Sequence, residues 1–165
     1  MPTTSSPADL FRRVMGSFPT GITVLTAERE PGQVHGMTAN SFTSVSLNPL
    51  LILVCVDHKA RLLSYLKAQR RFGVNILKDT QQALSQLFAK PQQDPVEEAR
   101  LGVRFQWTST GIPLLADALA HLACNVVEEH VSGDHTIFVA EVESLDLKEG
   151  EPLLYHRGSY LRLHP

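Results

Sequence analysis

The sequence is poor in the features that would commit it to several common classes. Cysteine occurs only twice in 165 residues, at Cys55 and Cys124, so neither a disulfide framework nor a Cys-x2-Cys metal knuckle is available. Each lies inside an apolar stretch, and the two are expected as free buried thiols of a reducing compartment. No sign of charge dominates: 15 Lys and Arg stand against 17 Asp and Glu, a formal charge of −2. That balance lacks the basic stripe of a phosphate-backbone binder, so nucleic acid is not expected as a partner. The longest apolar run, Leu50 to Val56, is seven residues, where a bilayer span needs ~20. No membrane partner is expected. Met1 to Ser6 has no basic stretch leading into an apolar one, so no secretory leader is expected and the location is read as cytoplasmic.

Familiar catalytic signatures are missing too. There is no Gly-x-Gly-x-x-Gly and no Gly-x4-Gly-Lys-Ser/Thr, which removes the two common glycine cradles for phosphate. His-Glu-x-x-His and Gly-x-Ser-x-Gly are likewise absent. The histidines at 35, 58, 121, 130, 135, 156 and 164 are scattered, with no i,i+4 pair beside a carboxylate on a helix. No metal site is expected.

What is present describes a β-rich globular chain. The 43% hydrophobic content supports a packed core, and the length corresponds to a single domain over residues 1–165, with residues 1–8 expected to be flexible. Ser6-Pro7-Ala8-Asp9 reads as a helix start, followed by an apolar stripe at Leu10, Phe11 and Val14 and a stop at Gly16. Strand-like runs follow at Thr20–Ala27 and Val34–Ala39, and Leu50–Val56 reads as a strand buried on both faces. Leu62, Leu63 and Leu66 have helical spacing; Phe72–Leu77 and Val103–Thr108 read as strands around a helical stretch from Asp79 to Leu101, interrupted by the Pro/Gln patch at 91–95. Ala118–Val131 and Thr136–Leu147 form a hairpin about Ser132-Gly133-Asp134-His135, and Leu153–Tyr155 reads as a last strand. Six to eight strands with short helices between them predict a mainly β protein, an antiparallel barrel with helical insertions.

Three segments carry candidate chemistry. Gly36 to Ser46 holds Thr38, Thr43, Ser41, Ser44, Ser46 and Asn40 ahead of the most apolar strand. Small hydroxyl and amide side chains let backbone approach a flat ligand and offer donors to its edge. The same residues also make an ordinary turn-rich loop, although the stretch is longer than a hairpin needs. Gly133-Asp134-His135 places a side chain that titrates near neutrality at a hairpin tip, where it positions a ligand or simply faces solvent. Arg157-Gly158-Ser159-Tyr160 sets a cation and a phenol beside a ligand, or packs the C-terminus.

Taken in order, these segments resemble the short-chain flavin reductases, the reductase components of two-component flavin monooxygenases. Gly36-Met37-Thr38-Ala39-Asn40-Ser41-Phe42 with Ser44-Val45-Ser46 and Asn48-Pro49 looks like the family's flavin-binding stretch. Phe72-Gly73-Val74-Asn75-Ile76-Leu77 resembles its Phe-x-Val-Asn-Val-Leu strand, Gly133-Asp134-His135 its Gly-Asp-His hairpin, and Pro152 to Tyr160 its closing strand. The likeness runs from about Leu10 to Leu163.

The resemblance implies an FMN-binding split β-barrel working as a homodimer, with hydride passing from NADH or NADPH to FMN or FAD. Reduced flavin would then reach a separate flavin-dependent monooxygenase. Carried over, Thr38, Ala39, Asn40 and Ser41 would line the flavin, Ser44, Val45 and Ser46 would continue that wall, and Asn75 would add a further contact. Lys59, Arg61 and Ser64 would meet the flavin phosphate, although Asp57-His58-Lys59-Ala60-Arg61 departs from the family's usual Asn/Ser-rich version. His135 and Tyr160 would shape the nicotinamide side. Other readings keep the fold but change the role: an FMN storage or electron-carrier protein, or a reductase of another acceptor such as ferric complexes.

Overall fold

The computed structural model describes residues 6–163. Its first helix, α1 (Pro7–Gly16), is fixed by a capping box: the Asp9 N–H donates to the Ser6 hydroxyl at 3.2 Å, and the Ser6 N–H donates to the Asp9 carboxylate at 3.3 Å. Ser6 is the cap and Pro7 and Ala8 open the first turn; residues 1–5 of the segment expected to be flexible lie outside the described residues. None of α1 is buried, and Leu10, Phe11, Val14 and Met15 are all more than half exposed. The helix is amphipathic, and nothing among the described residues covers its apolar stripe.

Next come β1 (Thr20–Gly21), β2 (Thr23–Glu30) and β3 (Gln33–Ala39), with Ala27 opposite His35 and Thr23 opposite Ala39. The long polar loop expected over Gly36–Ser46 is not there. Residues 36–39 finish β3, Asn40 and Ser41 turn the chain, and β4 (Phe42–Leu47) begins at once. Polar strand residues are tolerated because β4 is an edge strand with most of its residues exposed. β5 (Leu50–Asp57) buries Ile52, Val54 and Val56, while Leu51, Leu53 and Cys55 are only half-covered. It alternates, instead of being buried on both faces, because its sheet is antiparallel.

Further along lie α2 (Leu62–Gln69), β6 (Arg71–Ile76), α3 (Gln82–Phe88), α4 (Pro95–Arg100), β7 (Phe105–Trp107), β8 (Pro113–Leu115), β9 (Ala120–Ser132) and β10 (His135–Leu147). Gly133 and Asp134 alone join β9 to β10, with Gly133 at φ 61°. The C-terminal segment is itself a hairpin, β11 (Leu154–His156) and β12 (Ser159–Leu161), with Tyr155 opposite Tyr160. The described residues thus hold twelve strands, more than the sequence pattern counted, because the short ones are too brief for periodicity to show.

Seven strands form one sheet in the order β3-β2-β6-β9-β10-β5-β4. β3 and β4 stand at its two edges, yet only two residues join them, a reach of about 7 Å. The sheet therefore has to roll until its edges meet at that turn, which the Cys55 N–H, donating to the Ser41 carbonyl at 3.2 Å, fastens to β5 as an extension of the β4–β5 ladder. This is a barrel left split between β3 and β4. Leu62 and Leu66 of α2 pack into one core with Leu25, Val54, Phe72 and Phe138; Leu87 and Phe88 of α3 pack into a second with Ile22, Leu77 and Leu153. Each such side chain contributes about 1.5–3 kcal/mol by burial. No helix among the described residues is long and apolar enough to cross a membrane.

Two buried histidines set a pH dependence. His121 donates from Nε2 to the Leu115 carbonyl, and its buried Nδ1 has no partner; His35 is buried beside Arg61 and Arg29. Burial, the largest cause in both, pushes each imidazole below its ordinary value of 6.5. The unfolded chain then takes up protons first as pH falls, so their stabilisation is complete above pH 6.5 and is lost below it. The thermal midpoint should fall between pH 7 and pH 5, and less steeply in His121→Asn. A midpoint flat across that range would contradict this account.

Candidate functional site

The rolled seam brings three separate stretches around one cavity of about 370 Å³. β3 supplies His35, Gly36 and Thr38; the end of β5 and the segment after it supply Asp57, Lys59 and Arg61; the end of α3 and its continuation supply Phe88, Lys90 and Gln93. Gly36 sets how closely α3 approaches: a Cβ there would lie 2.4 Å from the Phe88 ring. Any larger residue would lift α3 from β3 and change the shape of the cavity.

Charge inside the cavity is uneven. Lys59 and Arg61 have no carboxylate within ion-pair distance among the described residues, whereas Lys90 is paired with Glu97 at 2.5 Å. Asp57 is committed locally, its Oδ1 accepting the Lys59 N–H at 2.8 Å. α2 starts beside these cations, and no side chain caps its first turn, where the Leu63 N–H donates to the Ala60 carbonyl at 3.2 Å. Two unpaired cations beside a helix start suit a phosphate-bearing ligand, while the neighbouring Thr38 hydroxyl already donates within the protein.

The remaining sequence candidates separate clearly. Thr38, Lys59 and Arg61 share the cavity. Ala39 is buried beside it, and its carbonyl accepts the Thr23 hydroxyl at 2.7 Å. Asn40 lines a neighbouring space of about 220 Å³ with Thr20 and Phe42. Ser41 donates to the Cys55 carbonyl at 2.8 Å, so its hydroxyl fastens the turn to β5. Ser44, Val45 and Ser46 form a β-bulge in β4, with Val45 49% exposed and the Ser46 hydroxyl accepting the Asn48 N–H.

Two candidates are hydrogen-bonded within the protein. Ser64 donates its hydroxyl to the Arg61 carbonyl at 2.9 Å, so it is not free to donate to a phosphate. Asn75 is fully buried: Nδ2 donates to the Val24 carbonyl and the Thr26 hydroxyl, and Oδ1 accepts the Leu115 N–H. Every polar atom of Asn75 is spent on the protein, so it ties strands together and is not a flavin contact.

Neither His135 nor Tyr160 lines the cavity, but each adjoins it through another residue. His135 is the cross-strand neighbour of Asp57, and its Nδ1–H donates to the Asp134 carboxylate at 2.7 Å. That bond holds the Asp134 carboxyl below its ordinary value and leaves Nε2 free. Tyr160 shares a 2.9 Å hydrogen bond with the Ser85 hydroxyl, and the Ser85 carbonyl accepts from Thr38 at 2.7 Å. His35, Ser85, Phe88 and Lys90 are absent from the sequence candidates; the Pro/Gln patch at 91–95 was the one signal near them.

Comparison with known proteins agrees with this arrangement. The flavin reductase like domain matches residues 15–164. The chain belongs to that family. An NADH-dependent flavin reductase of Rhodococcus sp is 41% identical over 154 residues, covering 92% of this chain and 84% of that protein. A Streptomyces globisporus NADH:FAD oxidoreductase, solved in complex with NAD and FAD fragments, superposes with a TM-score of 0.86 at 37% identity, covering 98% of this chain and 97% of that one. The styrene monooxygenase flavin reductase of Pseudomonas putida S12 superposes with a TM-score of 0.83 at 38% identity, covering 92% and 95%. As in these flavin reductases, the fold is the mainly β split barrel that the motifs implied.

Proposed function

We propose that this chain is an NADH-dependent flavin reductase that delivers reduced flavin to a separate monooxygenase. The observation that carries the reading is the cavity at the barrel seam, where unpaired Lys59 and Arg61 face the α2 start in a chain of the flavin reductase family. Bound flavin supplies the redox chemistry, accepting at N5 the hydride that leaves nicotinamide C4. The protein's part is to hold phosphate at Lys59 and Arg61, support the ring on the Thr38 wall, and fix the donor against it. A protein acid or base is not required, because solvent exchanges the flavin proton.

The role proposed for His135 is positioning, with its imidazole oriented by Asp134. His135→Ala should raise KM for NADH about fivefold, the worth of one ordinary hydrogen bond, while moving flavin affinity little. Unchanged KM and kcat would remove the residue from the nicotinamide side. A homodimer completes the reading: the bare apolar stripe of α1 and the exposed Val131, Leu145 and Leu147 are surfaces a second copy would cover. The proposed setting is the cytoplasm, where the free Cys55 and Cys124 stay reduced.

Nicotinamide oxidation at 340 nm, with FMN or FAD added in steps, tests the function. A rate that scales with free flavin establishes a reductase that treats flavin as a substrate. Oxidation that needs no added flavin, by a yellow protein, points to a bound group and another acceptor such as a ferric complex. Flavin binding without oxidation supports storage or electron carriage.

A further inference from the structure

Of residues 57–61, the stretch that carries Lys59 and Arg61, His58 alone does not line the seam cavity. Its ring reaches β10 instead, where Nε2 shares a 3.2 Å hydrogen bond with the Thr136 hydroxyl. Thr136 is fully buried, and no other hydrogen bond among the described residues reaches that hydroxyl. The His58 N–H makes a second tie, donating to the Asp134 carbonyl at 2.9 Å. Asp57 and His135 are the last register pair of the β5–β10 ladder, so these bonds carry the pairing past its end. Residues 57–58 are thereby clamped to 134–136 at three points. Lys59 follows directly, its N–H held by the Asp57 carboxylate at 2.8 Å, while its side chain and that of Arg61 are exposed. On the other side of the clamp stands His135, oriented by Asp134 at 2.7 Å.

We propose that His58 is a positioning residue that couples the two halves of the site, so that a phosphate held at Lys59 and Arg61 strengthens binding of the nicotinamide donor beside His135. The inference rests on the flavin reductase reading above. Exposed Lys and Arg side chains are free to move until an anion holds them, and a phosphate drawn between the two cations orders residues 57–61. The clamp passes that order to Asp134, His135 and Thr136. His135 then meets the donor with less freedom left to lose, which is binding energy gained at one site from occupancy of the other. Without the His58 side chain the backbone tie to Asp134 stays, but the buried Thr136 hydroxyl loses its partner and the hairpin is held by one bond fewer. The bond asks only for a neutral polar group at the position of Nε2, which a glutamine amide supplies.

Steady-state kinetics of the full chain with FMN and with riboflavin, which has no phosphate, test the coupling. In the parent, KM for NADH should be about threefold lower with FMN than with riboflavin, within the worth of one hydrogen bond. His58→Ala should bring that ratio close to one by raising KM with FMN, not by lowering kcat, and His58→Gln should restore it. Thr136→Val removes the other partner and keeps the branched shape that suits a strand. It should act like His58→Ala, and the double variant should be no worse than either, because both remove the same bond. A His58→Ala variant that raises KM with both flavins alike, leaving the ratio intact, has only a structural role and overturns the proposal. A ratio of one in the parent overturns it too, as does a Thr136→Val effect that adds to that of His58→Ala. Failure of the flavin reductase reading looks different: the parent would oxidise NADH with neither flavin, and the coupling would fall with it.

Discussion

Asn75→Ala is expected to cost about 2–4 kcal/mol of stability, the toll of leaving buried polar groups unpaired, and to lower the thermal midpoint by roughly 6–12 °C. Asn75 sits in mid-strand on β6, opposite Val24 on one side and His121 on the other. Its amide reaches out of the ladder in two directions. Nδ2 donates to Val24 and Thr26 of β2 at 2.8 and 3.1 Å, and Oδ1 accepts from Leu115 of β8 at 2.7 Å. Alanine leaves the Leu115 N–H orphaned in a site that water does not reach, and opens a small void beside it. Asn75→Asp should not rescue the fold: it keeps the acceptor for Leu115 but turns an unpartnered carboxylate oxygen towards the Val24 carbonyl. Urea or thermal unfolding of the flavin-free protein provides the measurement. A midpoint unchanged by Asn75→Ala, together with lost flavin binding, would return Asn75 to the cofactor site.

The same strand shows why a motif was easier to find than to interpret. Phe72-Gly73-Val74-Asn75 is visible in the sequence as a strand and as a family signature, and the structure gives it a packing role. A Cβ on Gly73 would lie 2.5 Å from the Pro113 carbonyl, so glycine and asparagine together let β8 dock against the barrel. Nothing in residues 72–77 names Pro113 or Leu115 as partners, because docking across some 40 residues leaves no local period. Elements with strong periodicity or chemical punctuation were legible: the Ser6 cap, the β-branched run of β2 and the Gly133 turn. β7, β8, β11 and β12 are three residues each, too short to show alternation. For the site, Thr38, Lys59 and Arg61 were reachable through the family likeness. His35, Ser85 and Phe88 were not, because their membership depends on α3 lying over Gly36, a contact visible only after folding.

That contact also explains how a barrel without a dinucleotide domain makes a cavity edged by cations. At the seam, β3 and β4 leave the turn at Asn40 and Ser41 without pairing to each other, each bonded on one side only, to β2 and to β5. α3 covers β3 on one side of that seam, and the segment between β5 and α2 covers the other. Backbone polar groups and cations left at the seam are therefore concentrated where the fold is open. The site arises where closure fails.

Its electrostatic consequence is the second large effect. Lys59→Ala combined with Arg61→Ala should weaken FMN or FAD binding about 100-fold, with each single change worth about tenfold, as expected for charge-assisted hydrogen bonds to a phosphate. Neither cation is tied to a carboxylate among the described residues, and both side chains border the cavity at an exposed position. Their removal should thus leave the thermal midpoint of the flavin-free protein within a few degrees of the parent. Riboflavin, which has the ring and ribityl chain but no phosphate, separates the causes. Its affinity should be the same in parent and double variant, and the parent's preference for FMN over riboflavin should shrink as salt is raised, because exposed charges are screened. An equal loss for riboflavin and FMN would mean that Lys59 and Arg61 shape the ring site. No loss for either would place the phosphate elsewhere, and the bare start of α2 would then have to hold it without them.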